Sequence, residues 1–349
     1  MAVSALVYAL LLIVSSVCSV FGNSMLLLLV LLNKNLRSDT LPLTISFCLC
    51  DLGLGLSTMP FGVYNSLAQP DHHGDGPLCQ ASAFIFILLQ LASIHSLTWT
   101  TVDKFTEICF ALSYTTIFTE QRTWAVLGVV WLYCILNATL PLVGFGKYAY
   151  IPGRFICAPS FQRSCLGFNL LFVVVGIIAP ILIMCCMYAY IMYVAKKQAR
   201  RGTFICNEQH CFYVPANNYL RSSIVMLATV VCLLVCWLPY IVICFYETLT
   251  GHESSELVSA VATWLALSTA AVNPWINSMT QTRYRVALRR SLGKIRQMFQ
   301  QPVKGSHQST ANQPGDMGDS CTSGSPPVPL TTLPPHTATP TPPMELSSC

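Results

Sequence analysis

The sequence predicts an all-α membrane protein: a seven-transmembrane helix bundle, a short amphipathic eighth helix and a disordered C-terminal tail. Three observations predict it. Of 349 residues, 54% are hydrophobic and only 9% charged, against about 25% charged in an average soluble domain. The apolar residues gather into seven runs, and a helix needs about 20 such residues to cross a bilayer. The Lys and Arg residues fall almost entirely on one side of those runs. This composition excludes an ordinary soluble domain. It also excludes disorder over most of the length, which needs low hydrophobicity and high charge.

The runs cover Ser4–Leu32, Leu41–Tyr64, Leu78–Leu112, Thr123–Phe145, Cys165–Val194, Ser222–Glu247 and Leu257–Met279. Polar, Gly or Pro residues bound each one. The first starts without Lys or Arg and is too long for the apolar region of a cleaved signal. The third contains Gln90, Ser93 and His95, and the seventh is the most polar. With the N-terminus outside, 16 of the 19 Lys and Arg lie on the cytoplasmic side, and only Lys147, Arg154 and Arg163 lie outside. That is the asymmetry the positive-inside bias produces. The outer connections carry Asp71, Asp75, Glu247, Glu253 and Glu256. The net charge of +5 follows from this basic face, and no basic patch interleaved with aromatics points to nucleic acid.

After span seven, Leu288, Leu292, Ile295 and Phe299 recur at spacings of four, three and four, with basic residues on the other face. This reads as an amphipathic helix on an anionic membrane surface. The division is therefore 1–281 for the bundle, 282–300 for the surface helix and 301–349 for the tail. The tail is rich in Ser, Thr, Pro and Gly, is read as disordered, and offers candidate phosphorylation sites. The sequon at Asn137 falls inside span four, out of reach of a glycan.

Most of the seventeen cysteines sit in apolar runs and act as small buried hydrophobes. Cys79 and Cys157 differ: both lie on the outer, oxidising side, and a bridge between them pins the loop after span four over the bundle. Cys206, His210 and Cys211 lack zinc-site spacing and a fourth ligand, so no metal site is expected there. His72 and His73 read as solvated loop residues.

Ionisable groups at membrane depth are costly and usually functional. Asp51 sits in the middle of span two, with Asn23, Ser93 and Asn273 in spans one, three and seven. One acid among neutral polar groups suits a hydrated cation, and equally suits a network that only pins helices together. Pro180, Pro239 and Pro274 interrupt spans five, six and seven, where each frees a carbonyl and bends its helix. No internal repeat suggests a transporter. No paired acids or histidines in the bilayer suggest a membrane hydrolase, so the chain is not read as an enzyme.

Taken together in order and spacing, these landmarks resemble the rhodopsin-like (class A) G-protein-coupled receptors over about residues 1–299. The matches are Gly22-Asn23, Leu49-Cys50-Asp51, Cys79, Asp103-Lys104-Phe105, Trp131, Pro180 with Tyr188, Cys236-Trp237-Leu238-Pro239 and Asn273-Pro274-Trp275-Ile276-Asn277. The resemblance implies a two-state bundle in which span six swings outward to admit a heterotrimeric G protein, with arrestin and receptor kinases as further partners. It implies a sodium ion held by Asp51, Ser93 and Asn273, with no other cofactor. It makes Trp237 the toggle at a pocket lined by Phe86, Gln90, Phe172, Trp237, Tyr240 and Thr263. Ile94, Pro180 and Leu233 would relay the motion. Asp103, Lys104, Phe105, Tyr188, Pro239, Pro274 and Asn277 would form the activation and coupling machinery.

Phe86 stands where amine receptors place an aspartate, and Leu267 where light receptors place a lysine. The pocket is apolar, as ligand pockets usually are, and a cationic ligand would find no counter-ion in the bundle. The expected ligand is a small neutral or lipid-like molecule, or none. Two departures fall on the coupling side. Lys104 keeps the charge of the usual arginine but loses its five-donor fork, and Asn277 replaces a tyrosine that would partner Tyr188. Two functions follow: an orphan receptor signalling through G proteins, or a weakly coupling relative acting as a trafficking or scaffold partner. Val214–Ser223, Glu247–Leu267 and the helix after them are also similar to an orphan receptor of primary cilia that restrains Hedgehog signalling. The melatonin-like and amine-like branches are more distant. The expected location is the plasma membrane, with the ciliary membrane as a further site.

Overall fold

Among the described residues of the computed structural model, seven helical segments are long and apolar enough to cross a membrane. They are Ala5–Leu32, Leu41–Ala68, Pro77–Cys109, Glu120–Val143, Arg163–Lys197, Leu227–Thr250 and Glu256–Ile276, spans one to seven. The structure describes residues 2–33, 36, 39–68, 76–110, 112–201, 204–207, 210–213, 216–280, 284–291 and 293, and their side chains except at 2–4, 198–226 and 277–280. The tail, the end of the expected surface helix, His72 and His73 lie outside the described residues.

Local chemistry sets the helix ends. Pro42 and Pro77 occupy the first turns of spans two and three, where a missing N–H costs nothing and a fixed φ helps. The Thr119 hydroxyl accepts from the Arg122 N–H at 3.4 Å and caps span four. Span two is two helices, Leu41–Leu56 and Thr58–Ala68, parted at Ser57. Pro60 has no N–H to offer the preceding turn, and the Ser57 hydroxyl folds back onto the Gly53 carbonyl at 2.6 Å. Span five widens into a π-helix over Leu171–Ile178 before Pro180, where the missing donor shifts the hydrogen-bond register. Pro239 and Pro274 lie inside the continuous helices Ala216–Thr250 and Glu256–Thr280.

Polar side chains join neighbouring spans. The Trp264 indole donates to Ser15 Oγ at 3.0 Å, and Asn23 Nδ2 donates to the Ala270 carbonyl at 3.0 Å. These bonds close the ring between spans one and seven. A Cβ at Gly22 would stand 2.7 Å from the Pro274 ring, so only glycine lets the two helices approach there. Trp131 donates to Ser46 Oγ at 3.0 Å, and Ser46 lies 3.1 Å from Ser96 Oγ, linking spans two, three and four. Large apolar side chains such as Val14, Phe21 and Val129 face outward, as lipid-facing positions do. Residues 284–291 are helical, with Tyr284 and Ala287 packed beside Leu26, Leu29 and Phe47 and with Arg289 and Arg290 exposed.

Two connections form hairpins that sequence periodicity does not predict. Between spans four and five, β1 (Tyr148–Ile151) pairs antiparallel with β2 (Ile156–Pro159), Tyr150 opposite Cys157. Between spans five and six, β3 (Phe204–Asn207) pairs with β4 (His210–Tyr213), Cys206 opposite Cys211. The side chains of this second hairpin lie outside the described residues. One boundary also moves. Glu247, assigned from sequence to the end of span six and counted with the outer-loop acids, stands within the helix, which continues to Thr250.

Candidate functional site

At the centre of the bundle, Asp51 is 1% exposed. Ser93 Oγ donates to its Oδ1 at 2.5 Å, and Asn273 Nδ2 donates to its Oδ2 at 2.9 Å. The three sequence-selected residues therefore meet across spans two, three and seven. Ser19 Oγ donates to the Asp51 carbonyl at 2.8 Å, and Asn23 Nδ2 donates to the Ser19 carbonyl at 2.9 Å, which extends the set into span one. Asn23 Oδ1 is buried with no hydrogen-bond partner. No ion pair reaches Asp51 among the described residues, so a lone carboxylate faces neutral groups only. One carboxylate beside a hydroxyl and a side-chain amide on neighbouring helices is a donor set that fits a monovalent cation.

The six sequence-selected pocket residues lie towards the end of the bundle that carries the disulfide, which joins Cys79 to Cys157 with Cα atoms 5.4 Å apart. Phe86, Gln90, Phe172, Trp237, Tyr240 and Thr263 are all buried. Trp237 meets Tyr240 edge-on at 6.3 Å between ring centroids. Gln90 Oε1, Tyr240 Oη and Thr263 Oγ1 are buried without hydrogen-bond partners. Buried polar atoms are normally satisfied, so these three have capacity for a water or a polar ligand group.

Two further residues enter from the β1–β2 loop. The Phe161 ring stands 6.4 Å from Phe172 and 6.3 Å from Tyr240, inside the aromatic lining. Arg154, 1% exposed, is among the largest fully buried side chains of the described residues. Its Nη2 donates to Glu247 Oε2 of span six at 2.6 Å, and its Nε approaches Ser259 Oγ of span seven at 3.5 Å. The guanidinium carbon lies 5.2 Å from the Phe161 ring centre and 5.6 Å from that of Tyr240, within reach of cation–π attraction. Ser254 donates its backbone N–H and its hydroxyl to Glu247 Oε1, at 3.3 and 2.7 Å. Burial works against the guanidinium's charge, but Tyr240, Cys244 and Glu247 outweigh it and hold the pKa above its usual value. Glu247 of span six thus stands beside the pocket with its cation already in place.

This insertion was legible only in part. The run Phe155–Phe161 is apolar around Cys157, unusual for an outer loop, and every residue of β2 is buried. That run is the signal that could have marked a loop folded inward. Nothing in the sequence assigned Arg154 a partner 93 residues away.

At the opposite end, Asp103 accepts from Tyr114 Oη at 2.7 Å and from Thr40 Oγ1 at 3.2 Å. Burial raises the Tyr114 phenol's pKa, and the Asp103 hydrogen bond and charge raise it further. Phe105 packs edge-on against Phe110 at 5.8 Å and Tyr190 at 5.6 Å, an apolar contact in place of a phenolic one. Tyr188 Oη accepts from Thr101 Oγ1 at 3.4 Å, so its buried hydroxyl has a span-three partner. Lys104 is half-buried. Ile94, Pro180 and Leu233 are all buried, and Pro239 and Pro274 lie within their helices. The Asn277 side chain is outside the described residues.

The family described as 7 transmembrane receptor (rhodopsin family) matches residues 22–276. The histamine H2 receptor of Canis lupus familiaris is 25% identical over 272 residues, covering 77% of this chain and 74% of that receptor. The adenosine receptor A3 of Ovis aries is 24% identical over 235 residues, with 66% and 72% covered. The trace amine-associated receptor 6 of Mus musculus is 25% identical over 290 residues, with 78% and 81% covered.

Proposed function

Since the chain belongs to the rhodopsin family of seven-transmembrane receptors, a family of G-protein-coupled receptors rather than enzymes, we propose that it transmits a signal to heterotrimeric G proteins. The disulfide end faces outward with the N-terminus, and span six swings out at the Asp103 end. The observation that carries this reading is the Asp51 set. It ties spans two and three to span seven immediately before Pro274, and couples a central charge to the helices that move. Sodium, held by Asp51, Ser93 and Asn273, would supply a positive charge there and favour one arrangement of the bundle. With Arg154 paired to Glu247, the acid of span six beside the pocket is already neutralised. A small neutral or lipid-like ligand then suits the aromatic lining, with Gln90, Tyr240 and Thr263 as its polar contacts. The plasma membrane is the site of action, and the tail receives kinases and arrestin.

A second reading, a weakly coupling trafficking or scaffold partner, draws on Lys104 and Asn277. Lysine offers a point charge where a planar fork would grip the G protein. Basal cAMP, calcium and arrestin recruitment in cells bearing the protein at the surface decide between the two. Wild type is expected to exceed mock-transfected cells, and Lys104→Arg with Asn277→Tyr to raise that output several-fold. A silent wild type revived by the double substitution would establish the second reading.

A further inference from the structure

Nearly every polar group around Arg154 serves to hold it. Its own carbonyl accepts from Tyr8 Oη of span one at 3.1 Å. The next carbonyl, of Phe155, accepts from Asn65 Nδ2 of span two at 2.9 Å. Phe155 has φ 54°, the one non-glycine positive φ among the described residues. Bulky residues rarely adopt that conformation. Here the Phe155 N–H returns to the Ile151 carbonyl at 3.0 Å, and the ring lies 5.2 Å from Tyr8. Gly153 fits so closely that a Cβ would stand 3.1 Å from the Glu256 backbone. The disulfide at Cys157 anchors the far strand. The loop is thus fastened to spans one, two, three and seven, and its product is one guanidinium delivered to Glu247.

The receiving site is built from the bundle, not from the loop. Glu247 is 11% exposed, and Ser254 already satisfies its second oxygen. The Tyr240 face and Ser259 complete the surround. Arg154 Nη1 has no hydrogen-bond partner, so the loop's guanidinium leaves both N–H groups of that nitrogen unused. A cavity of about 310 Å³ adjoins this surround, lined by Tyr150, Gln162, Glu247, Ser254 and Ser259 with the acids Glu253 and Glu256. Its carboxylates raise the local concentration of cations.

We propose that Glu247, Ser259 and Tyr240 form a binding site for a small organic cation of the guanidinium or amine class, which the chain fills with its own Arg154. Displacing Arg154 leaves a buried carboxylate unpaired, which is strongly destabilising. A molecule that takes the loop's place must therefore bring its own cation, while a neutral one leaves the loop seated. The inference deepens the receptor reading, and its consequence for signalling rests on that reading. The site itself does not.

The test is thermal melting of the full chain purified in detergent. Arg154→Ala is expected to melt several degrees below wild type and to recover most of the loss in millimolar ethylguanidinium. Ethylurea, of the same shape without charge, should give no recovery. Wild type, already filled, should shift little in either, and Arg154→Ala with Glu247→Gln should not respond to the cation. Melting of Arg154→Ala at the wild-type temperature would overturn the proposal. So would equal recovery in ethylurea, or recovery that persists without Glu247. If Arg154→Ala yields no folded protein, the exchange Arg154→Glu with Glu247→Arg supplies the answer: restored yield supports the site, and continued failure overturns it. Because melting requires no G protein, a chain that never couples leaves this result intact.

Discussion

At Asp51 one carboxylate accepts from two side chains on two other helices, and the consequences of changing it are specific. Asp51→Asn keeps the shape but removes the charge, so any sodium-dependent gain in melting temperature over potassium is expected to vanish. Paired melting curves in NaCl and KCl check this. Asp51→Ala also removes the acceptor of the Ser93 hydroxyl, and a buried polar group left unpaired costs about 1–3 kcal/mol. At the residue scale the sequence made some neighbours legible and hid others. Asp51 stood out from type and depth, because a charge in the bilayer is rare enough to announce itself, and the resemblance then singled out Ser93 and Asn273 as its partners. Arg154 was counted only as an outside charge. Its role depends on a fold-back across 93 residues of chain, and no periodicity encodes that.

Among elements, the helices were legible because lipid demands about 20 apolar residues in a row. Their irregularities were not. Pro60 announces the break at Ser57 no less than Pro180 announces its kink, yet the outcomes differ: a second helix starts in one case, and a π-helical stretch forms in the other. Which carbonyl finds a new donor decides between them, and that is a matter of neighbours. The β1–β2 hairpin was missed because its strands are short and β2 is buried throughout, without alternation. A prediction belongs to this element. Gly146, at its entrance, has φ 116°, and a Cβ there would meet the Phe168 ring at 2.8 Å. Gly146→Ala is expected to cost roughly 1–3 kcal/mol through backbone strain and to lower the melting temperature, whereas Gly128→Ala, with open space around it, should not.

For the whole molecule, ring closure between spans one and seven and the disulfide act at different places. Asn23→Ala removes the bond to the Ala270 carbonyl and is expected to destabilise by about 1–3 kcal/mol. Cys79→Ser opens a bridge between residues 78 apart, and loss of such a bridge typically costs about 2–4 kcal/mol. The sites share no partner, so the two losses should add in the double variant. Melting of the four proteins in one detergent checks this. The architecture at this scale was legible from apolar runs and charge sidedness. How the loop engages the bundle was not, because burial of a hairpin depends on the cavity that receives it.

A hairpin fastened across the mouth also governs timing. A molecule that binds beneath the hairpin would have to wait for the hairpin to open. Observed association should therefore level off as concentration rises, at a ceiling set by how often the strap lifts. Departure meets the same barrier in reverse. Occupancy at this receptor would then be long-lived even at modest affinity, and duration, more than strength, would be what the loop confers.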